Sequence, residues 1–211
     1  MISNCASLNT EPSPVPASLL VSLETIVEPL DVNKLFARQQ PLQVELGVGD
    51  GSFVVQYAAL HPEWNFIGVE RLLGRLRKID RKGRRAGLAN LRGVRIEASY
   101  FLEYLLPKKS VTALHVYFPD PWPKRKHRKH RLINERFPQL AREILLPGGA
   151  VYLRTDDADY FAQMKEVFEA GPFFAEIPTP QSLSEALTDF ERGFLARGIQ
   201  TLRLALQLTV P

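Results

Sequence analysis

Strand-like and helix-like segments alternate five times between residues 42 and 170, and nothing else in this 211-residue chain limits its fold so severely. Short β-rich runs at 42–46, 66–70, 94–97, 113–118 and 150–154 are each followed by a helical pattern, at 52–60, up to about 87, then 100–106, 133–145 and 158–170. Such alternation calls for parallel strands, because each helix carries the chain back across the sheet. Two more strands are expected at 173–177 and 199–208, without a crossover helix between them. The expectation is an α/β fold, a doubly wound seven-stranded sheet with helices on both faces, forming one domain over 41–211. Residues 1–40, with Pro12, Pro14, Pro16 and Pro29, read as an irregular N-terminal arm with one short helix after Asp31.

Net charge is +4, but it is unevenly spread. Residues 71–95 hold ten Lys or Arg against one acid, Asp80, and 124–131 hold six Lys or Arg, two His and no acid. These segments carry +9 and +6, which leaves −11 for the rest of a chain of net +4. A basic face on an acidic body is the footprint of a polyanion binder. The lone cysteine, Cys5, has no disulfide partner and suits a reducing, cytoplasmic setting. No apolar run is long enough to span a membrane and no secretory leader is legible. His115, His127 and His130 have no metal-ligand spacing with any acid cluster, so no metal is expected. No obligate protein partner is indicated.

The first strand closes in Val44-Glu45-Leu46-Gly47-Val48-Gly49-Asp50-Gly51. In doubly wound sheets the ligand crevice lies outside the carboxyl ends of the strands, and the glycines here let backbone approach a ligand closely. The dinucleotide pattern is not met, since the third glycine arrives one residue early. Glu45 beside the turn would repel a diphosphate and attract a cation, which favours the sulfonium and amino groups of S-adenosyl-L-methionine. Glu70 ends the second strand, where an acid accepts hydrogen bonds from ribose hydroxyls. Glu97 and Ala98 end the third, in the place of an adenine-gripping acid and its small neighbour.

Phe118-Pro119-Asp120-Pro121-Trp122-Pro123 ends the fourth strand and runs directly into Lys124-Arg125-Lys126-His127-Arg128-Lys129-His130-Arg131. Prolines on both sides of Asp120 stiffen the loop and aim its carboxylate and Trp122 in set directions. The basic run offers phosphate contacts that bind without reading sequence.

Together with Tyr152-Leu153-Arg154-Thr155-Asp156-Asp157 and the late Thr188-Asp189-Phe190-Glu191-Arg192-Gly193, these motifs closely resemble the bacterial tRNA (guanine-N7)-methyltransferases over 42–198. The resemblance implies the class I methyltransferase sheet, which is Rossmann-like. It implies methyl transfer from S-adenosyl-L-methionine to N7 of guanosine 46 in the tRNA variable loop, leaving S-adenosyl-L-homocysteine. Carried over position by position, it makes Asp120 catalytic and places it with Glu45, Gly47, Gly49, Gly51, Glu70, Glu97 and Ala98 around the cofactor. Lys124, Asp156, Thr188, Asp189, Phe190 and Glu191 fall at substrate positions. Lys126, His127, Arg128, Lys129, His130 and Arg131 fall on the tRNA backbone, with His130 interrupting the cations.

Three other readings are weaker. An enzyme acting on an exocyclic amine of rRNA would carry two prolines after its acid or amide, where Asp120-Pro121-Trp122 has one. A non-catalytic RNA-binding module leaves Glu45, Glu70 and Asp120 without a purpose. An NAD-linked oxidoreductase is disfavoured by the acidic, shortened glycine turn.

Overall fold

The structure, a computed structural model, describes residues 14–209; Cys5 and Pro12 lie outside them. In chain order the strands and helices are β1 (Leu20–Val21), β2 (Leu42–Leu46), α1 (Ser52–Leu60), β3 (Asn65–Glu70), α2 (Leu73–Arg85), β4 (Leu91–Arg95), α3 (Ala98–Tyr100), β5 (Val111–Tyr117), α4 (Phe137–Ile144), β6 (Leu145–Thr155), α5 (Ala158–Glu169), β7 (Phe174–Glu176), α6 (Gln181–Glu185), α7 (Asp189–Leu195) and β8 (Leu202–Leu208). A single 3₁₀ turn lies at Val32–Lys34 and a six-residue 3₁₀ helix at Arg125–His130, and α3 continues as a π-type turn, Phe101–Leu105. The turn at Val32–Lys34 is the short helix expected after Asp31, whose side chain accepts from the Asn33 amide.

The strands form one sheet in the order β1-β4-β3-β2-β5-β6-β8-β7, parallel as far as β6 and antiparallel at β8 and β7. Every residue of β2 and β3 is buried, as a strand covered on both faces requires. One face packs Phe53, Val54 and Tyr57 of α1 with Leu76 and Ile79 of α2. The other packs Phe101, Phe137 of α4 and Tyr160 of α5. The chain winds outward from β2 through β3 to β4, then crosses back to β5 on the other side of β2. That reversal is a topological switch point, and a ligand crevice is expected at the carboxyl ends of β2 and β5.

Five expectations shift. The sheet has eight strands, since Leu20 and Val21 pair with Gly93 and Val94 along an edge. The segment 14–40, read as an irregular arm, is tied to the sheet at several points: Leu19 is fully buried, its amide donates to Asp80 Oδ1 at 2.7 Å, and the Leu30 amide donates to the Leu105 carbonyl at 2.7 Å. The third strand starts three residues and ends two residues earlier than read, and Glu97 follows it as the N-cap of α3. The helix read from 133 begins at Phe137, because Ile133 is buried with its amide donating to the Tyr160 hydroxyl. The strand read from 150 begins at Leu145 and bulges through Pro147-Gly148-Gly149: Leu145 pairs with Val111, and Ala150 with Ala113.

Candidate active site

Three glycines shape the turn after β2, with φ of +80° at Gly47, +56° at Gly49 and +78° at Gly51. Only glycine adopts this region without strain. The Gly47 and Val48 amides both donate to the Val69 carbonyl, which locks the turn onto β3. A Cβ on Gly51 would stand 2.5 Å from Ile79 Cγ1, so this position brings α1 against α2. At Gly47 and Gly49 a Cβ would meet nothing within 4 Å, and these two face open space.

Gly47 opens onto a cleft of about 380 Å³ at the switch point, whereas Gly49 and Gly51, also expected at the cofactor, do not line it. Gly47, Glu70, Glu97, Ala98 and Asp120 line it, with Arg71 and Arg75 on one side and Trp122 and His130 on another. The topology thus gathers five of the expected cofactor residues from four strand ends. Glu70 is buried; its Oε1 accepts from the Leu72 amide at 2.8 Å, and Arg75 Nη1 lies 3.5 Å from Oε2. Glu97 spends Oε2 on the Tyr100 amide at 2.8 Å. Glu45 is one layer down: it does not line the cleft, although its neighbours Leu46 and Gly47 do. It is 5% exposed, and its Oε2 has no hydrogen-bond partner. Burial pushes its pKa up to about 8 against the opposing pull of Arg154 and the Val54 amide.

The loop after β5 is held in an uncommon backbone shape. Phe118 and Trp122 have φ of +52° and +43°, and each precedes a proline. The structure also shows what holds it. Arg131 is 1% exposed: Nε donates to the Pro121 carbonyl at 2.7 Å, Nη1 to Gln163 Oε1 at 2.7 Å and Nη2 to Asp159 Oδ2 at 2.6 Å, over the Tyr160 ring. The expectation that Arg131 contacts tRNA backbone is therefore corrected, since its donors are consumed inside the protein. Arg128 is partly consumed as well, pairing with Asp159 Oδ1 at 2.8 Å. Lys124, Lys126 and Lys129 stay exposed. The Trp122 ring sits 5.2 Å from His130 and 5.9 Å from His127, so the two histidines of the run steady the tryptophan at the cleft.

Thr188 to Glu191 divide into two roles. Thr188 and Glu191 form a reciprocal capping box at the start of α7. Glu191 is fully buried, with Arg154 Nη1 at 2.7 Å from Oε2 and Arg203 Nη2 at 2.8 Å from Oε1. Arg154, itself 2% exposed, also donates to the carbonyls of Ala186 and Leu183 and lies 4.0 Å from the centre of the Tyr117 ring. Asp189 and Phe190 are exposed; the Asp189 amide donates to Ser52 Oγ, and the Phe190 ring is 6.0 Å from Phe118. α7 is thereby fastened beside the Asp120 loop and the glycine turn. Asp156 is exposed just beyond β6. Among the described residues no three His, Cys, Asp or Glu side chains gather as metal ligands, and no helix is long and apolar enough to cross a membrane.

Comparison with known proteins gives this arrangement its family. A family model described as "Putative methyltransferase" matches residues 39–204. A tRNA (guanine-N(7)-)-methyltransferase of Syntrophotalea carbinolica is 37% identical, over 83% of this chain and 77% of its own. One from Halorhodospira halophila is 37% identical over 85% and 80%, and one from Geobacter metallireducens 33% over 87% and 90%. The chain belongs to the tRNA (guanine-N7)-methyltransferase family. Among solved structures, the 16S rRNA methyltransferase KamB superposes with a TM-score of 0.59 at 16% identity, covering 87% of this chain and 95% of its own. TrmN from Thermus thermophilus gives 0.57 at 19%, covering 82% and 45%. These two likenesses establish the fold, that of the class I methyltransferases.

Two groups of this family member were missed by sequence reasoning. Arg154 sits inside a recognised motif, but nothing local signals that it is buried opposite Glu191. In sequence His115 is only a histidine without metal-ligand spacing. It is 1% exposed between Tyr117 Oη and Gln43 Oε1, both at 2.8 Å, and burial followed by the nearby Arg154 charge lowers its pKa to about 3. Both it and Glu45 make stability depend on pH. For His115 the folded pKa lies below the unfolded 6.5, so stability falls as pH drops from about 6.5 to about 3. For Glu45 the folded pKa lies above the unfolded 4.5, so its contribution is full below 4.5 and declines as pH rises to about 8. The effects oppose one another where the windows overlap. Urea titrations across pH 4 to 8 are expected to show H115Q losing part of the acid-side decline and E45Q losing part of the decline toward pH 8.

Proposed function

We propose that this chain transfers the methyl group of S-adenosyl-L-methionine to N7 of a guanine in tRNA, at guanosine 46 of the variable loop. The observation that carries the reading is a cleft at the switch point, lined by Glu70, Glu97 and Asp120, in a chain of this family. The residues fit such a donor. The buried Glu45 Oε2 lacks a partner, the positions around Gly47 are open, and carboxylates suit a ligand rich in hydroxyl and amino donors with a positive sulfonium. When bound, the donor supplies an electrophilic methyl group. Glu70 would accept the ribose hydroxyls and Glu97 and Ala98 would hold the adenine, with Glu45 beneath the turn supporting Leu46 and Gly47 at the cleft wall.

Guanine N7 carries an in-plane lone pair and no proton, so no base has to deprotonate it. Asp120 is therefore assigned an electrostatic role, orienting the purine and offsetting the positive charge that grows on the imidazole ring. Lys124, Asp156, Asp189 and Phe190 would position the guanosine, with Thr188 and Glu191 acting by fastening α7. Lys126, His127, Arg128, Lys129 and His130 line the approach for the tRNA backbone.

The deciding experiment is incubation with labelled S-adenosyl-L-methionine and bulk tRNA, followed by aniline scission, which reports N7-methylguanosine. Scission at guanosine 46 is expected; label confined to rRNA would overturn the proposal.

A further inference from the structure

We infer that the outward face of α2 is a second grip for the tRNA backbone, separate from the basic 3₁₀ helix at Arg125–His130. The inference rests on the proposed tRNA substrate. Along α2 the charged side chains sort by direction. Those at its margins have structural partners: Lys82 pairs with Asp50 at 3.0 Å, Arg75 lies 3.5 Å from Glu70, Arg84 donates to the Ala17 carbonyl and Asp80 accepts from the Leu19 amide. Arg77, Arg81 and Arg85 are exposed, and among the described residues they make no ion pair. They follow one another four residues apart, so they stand in a row down the helix, where like charges repel and lower helix stability. No acid on that face relieves them, since Asp80 is the one acid in the segment and is turned toward the N-terminal strand. A row of this kind costs stability until a polyanion covers it.

Position selects the polyanion. α2 begins at the cleft, where Arg71, Leu72 and Arg75 form one wall. Trp122 and His130, at the end of the other basic element, line the same cleft. From the first wall α2 runs on for roughly 20 Å at 1.5 Å per residue. Arg95, exposed at the end of β4, adds its charge to this rim and donates to the Arg71 carbonyl. An RNA whose base enters the cleft would therefore meet cations on both flanks, with the α2 row continuing along its phosphates. Such contacts add salt-dependent affinity without sequence preference.

The test uses R77Q/R81Q/R85Q, which spares the cleft lining and leaves the Asp80–Leu19 and Arg84–Ala17 hydrogen bonds in place, although Arg81 and Arg85 stand beside Val15, Pro16 and Ala17, so thermal melts accompany the kinetics. With tRNA as substrate, KM is expected to rise by roughly tenfold or more at moderate salt, with kcat and donor affinity unchanged. The slope of log affinity against log salt is expected to fall by about two to three for the triple variant and by about one for R81Q alone. K126Q/K129Q should raise KM similarly, and its combination with the triple variant should multiply the two losses. If wild-type protein methylates tRNA but the triple variant keeps its KM and salt slope, this inference fails while the proposed function stands. If wild-type protein leaves tRNA unmethylated, both fall.

Discussion

Replacing Asp120 with alanine is expected to lower kcat on tRNA by roughly 10² to 10³ while leaving tRNA KM within a few-fold, the pattern of a charge that matters in the transition state. The structure gives the reason for so large an effect. Asp120 projects into the cleft from a loop whose prolines, positive φ angles at Phe118 and Trp122, and Arg131 hydrogen bond to the Pro121 carbonyl hold it in one place. A preorganised carboxylate acts on developing charge without reorganising at the moment of reaction. Asp120→Asn keeps the shape and removes the charge, so it is expected to be nearly as slow as the alanine variant. Steady-state kinetics from pH 6 to 9 provide the second check. Because N7 has no proton to lose, kcat should show no rising limb that disappears in D120N; such a limb would establish a general base and overturn the assignment.

The second large effect is on folding. Arg154→Met is expected to cost about 3–5 kcal/mol, because it leaves the fully buried Glu191 with Arg203 as its remaining cationic partner and strips donors from two buried carbonyls. For a chain of this size that corresponds to a fall in Tm of roughly 6–20 °C. Removing both charges should hurt less than R154M alone, because R154M/E191L leaves no buried carboxylate short of a cation, while the lost donors to Ala186 and Leu183 and the broken capping box keep it below wild type. Thermal melts of the two single variants and the double variant therefore form a cycle with large coupling. Single variants that melt within a degree or two of wild type would sink the claim. Folded R154M should also show a raised KM for tRNA, since Arg154 fastens α7, with Asp189 and Phe190, beside the Asp120 loop.

Much of this molecule was legible as local pattern. The five strand–helix repeats place β2, β3, β5 and β6 and the parallel sheet, because side-chain periodicity and parallel pairing with crossover helices are dictated by short stretches of chain. Glycine at 47, 49 and 51 forecasts a turn of positive φ, and the prolines around Asp120 forecast a stiff loop, since both act through their own backbone. Glu70, Glu97, Ala98 and Asp120 meet because strand ends converge at a switch point, a consequence of topology alone.

What sequence could not decide is which charges face inward. Lys129 and Arg131 are near neighbours in one basic run, yet the first is exposed and the second is buried against Asp159, 28 residues further on. Arg154 meets Glu191 across 37 residues, and Glu45 lies beneath the cleft it was expected to rim. The edge strand β1, and the bulge that starts β6 at Leu145, likewise depend on pairing with distant residues. Periodicity, capping and turn chemistry are local and survive in one dimension. Desolvation and ion pairing depend on what the rest of the chain brings within a few ångströms, and only the folded packing supplies that.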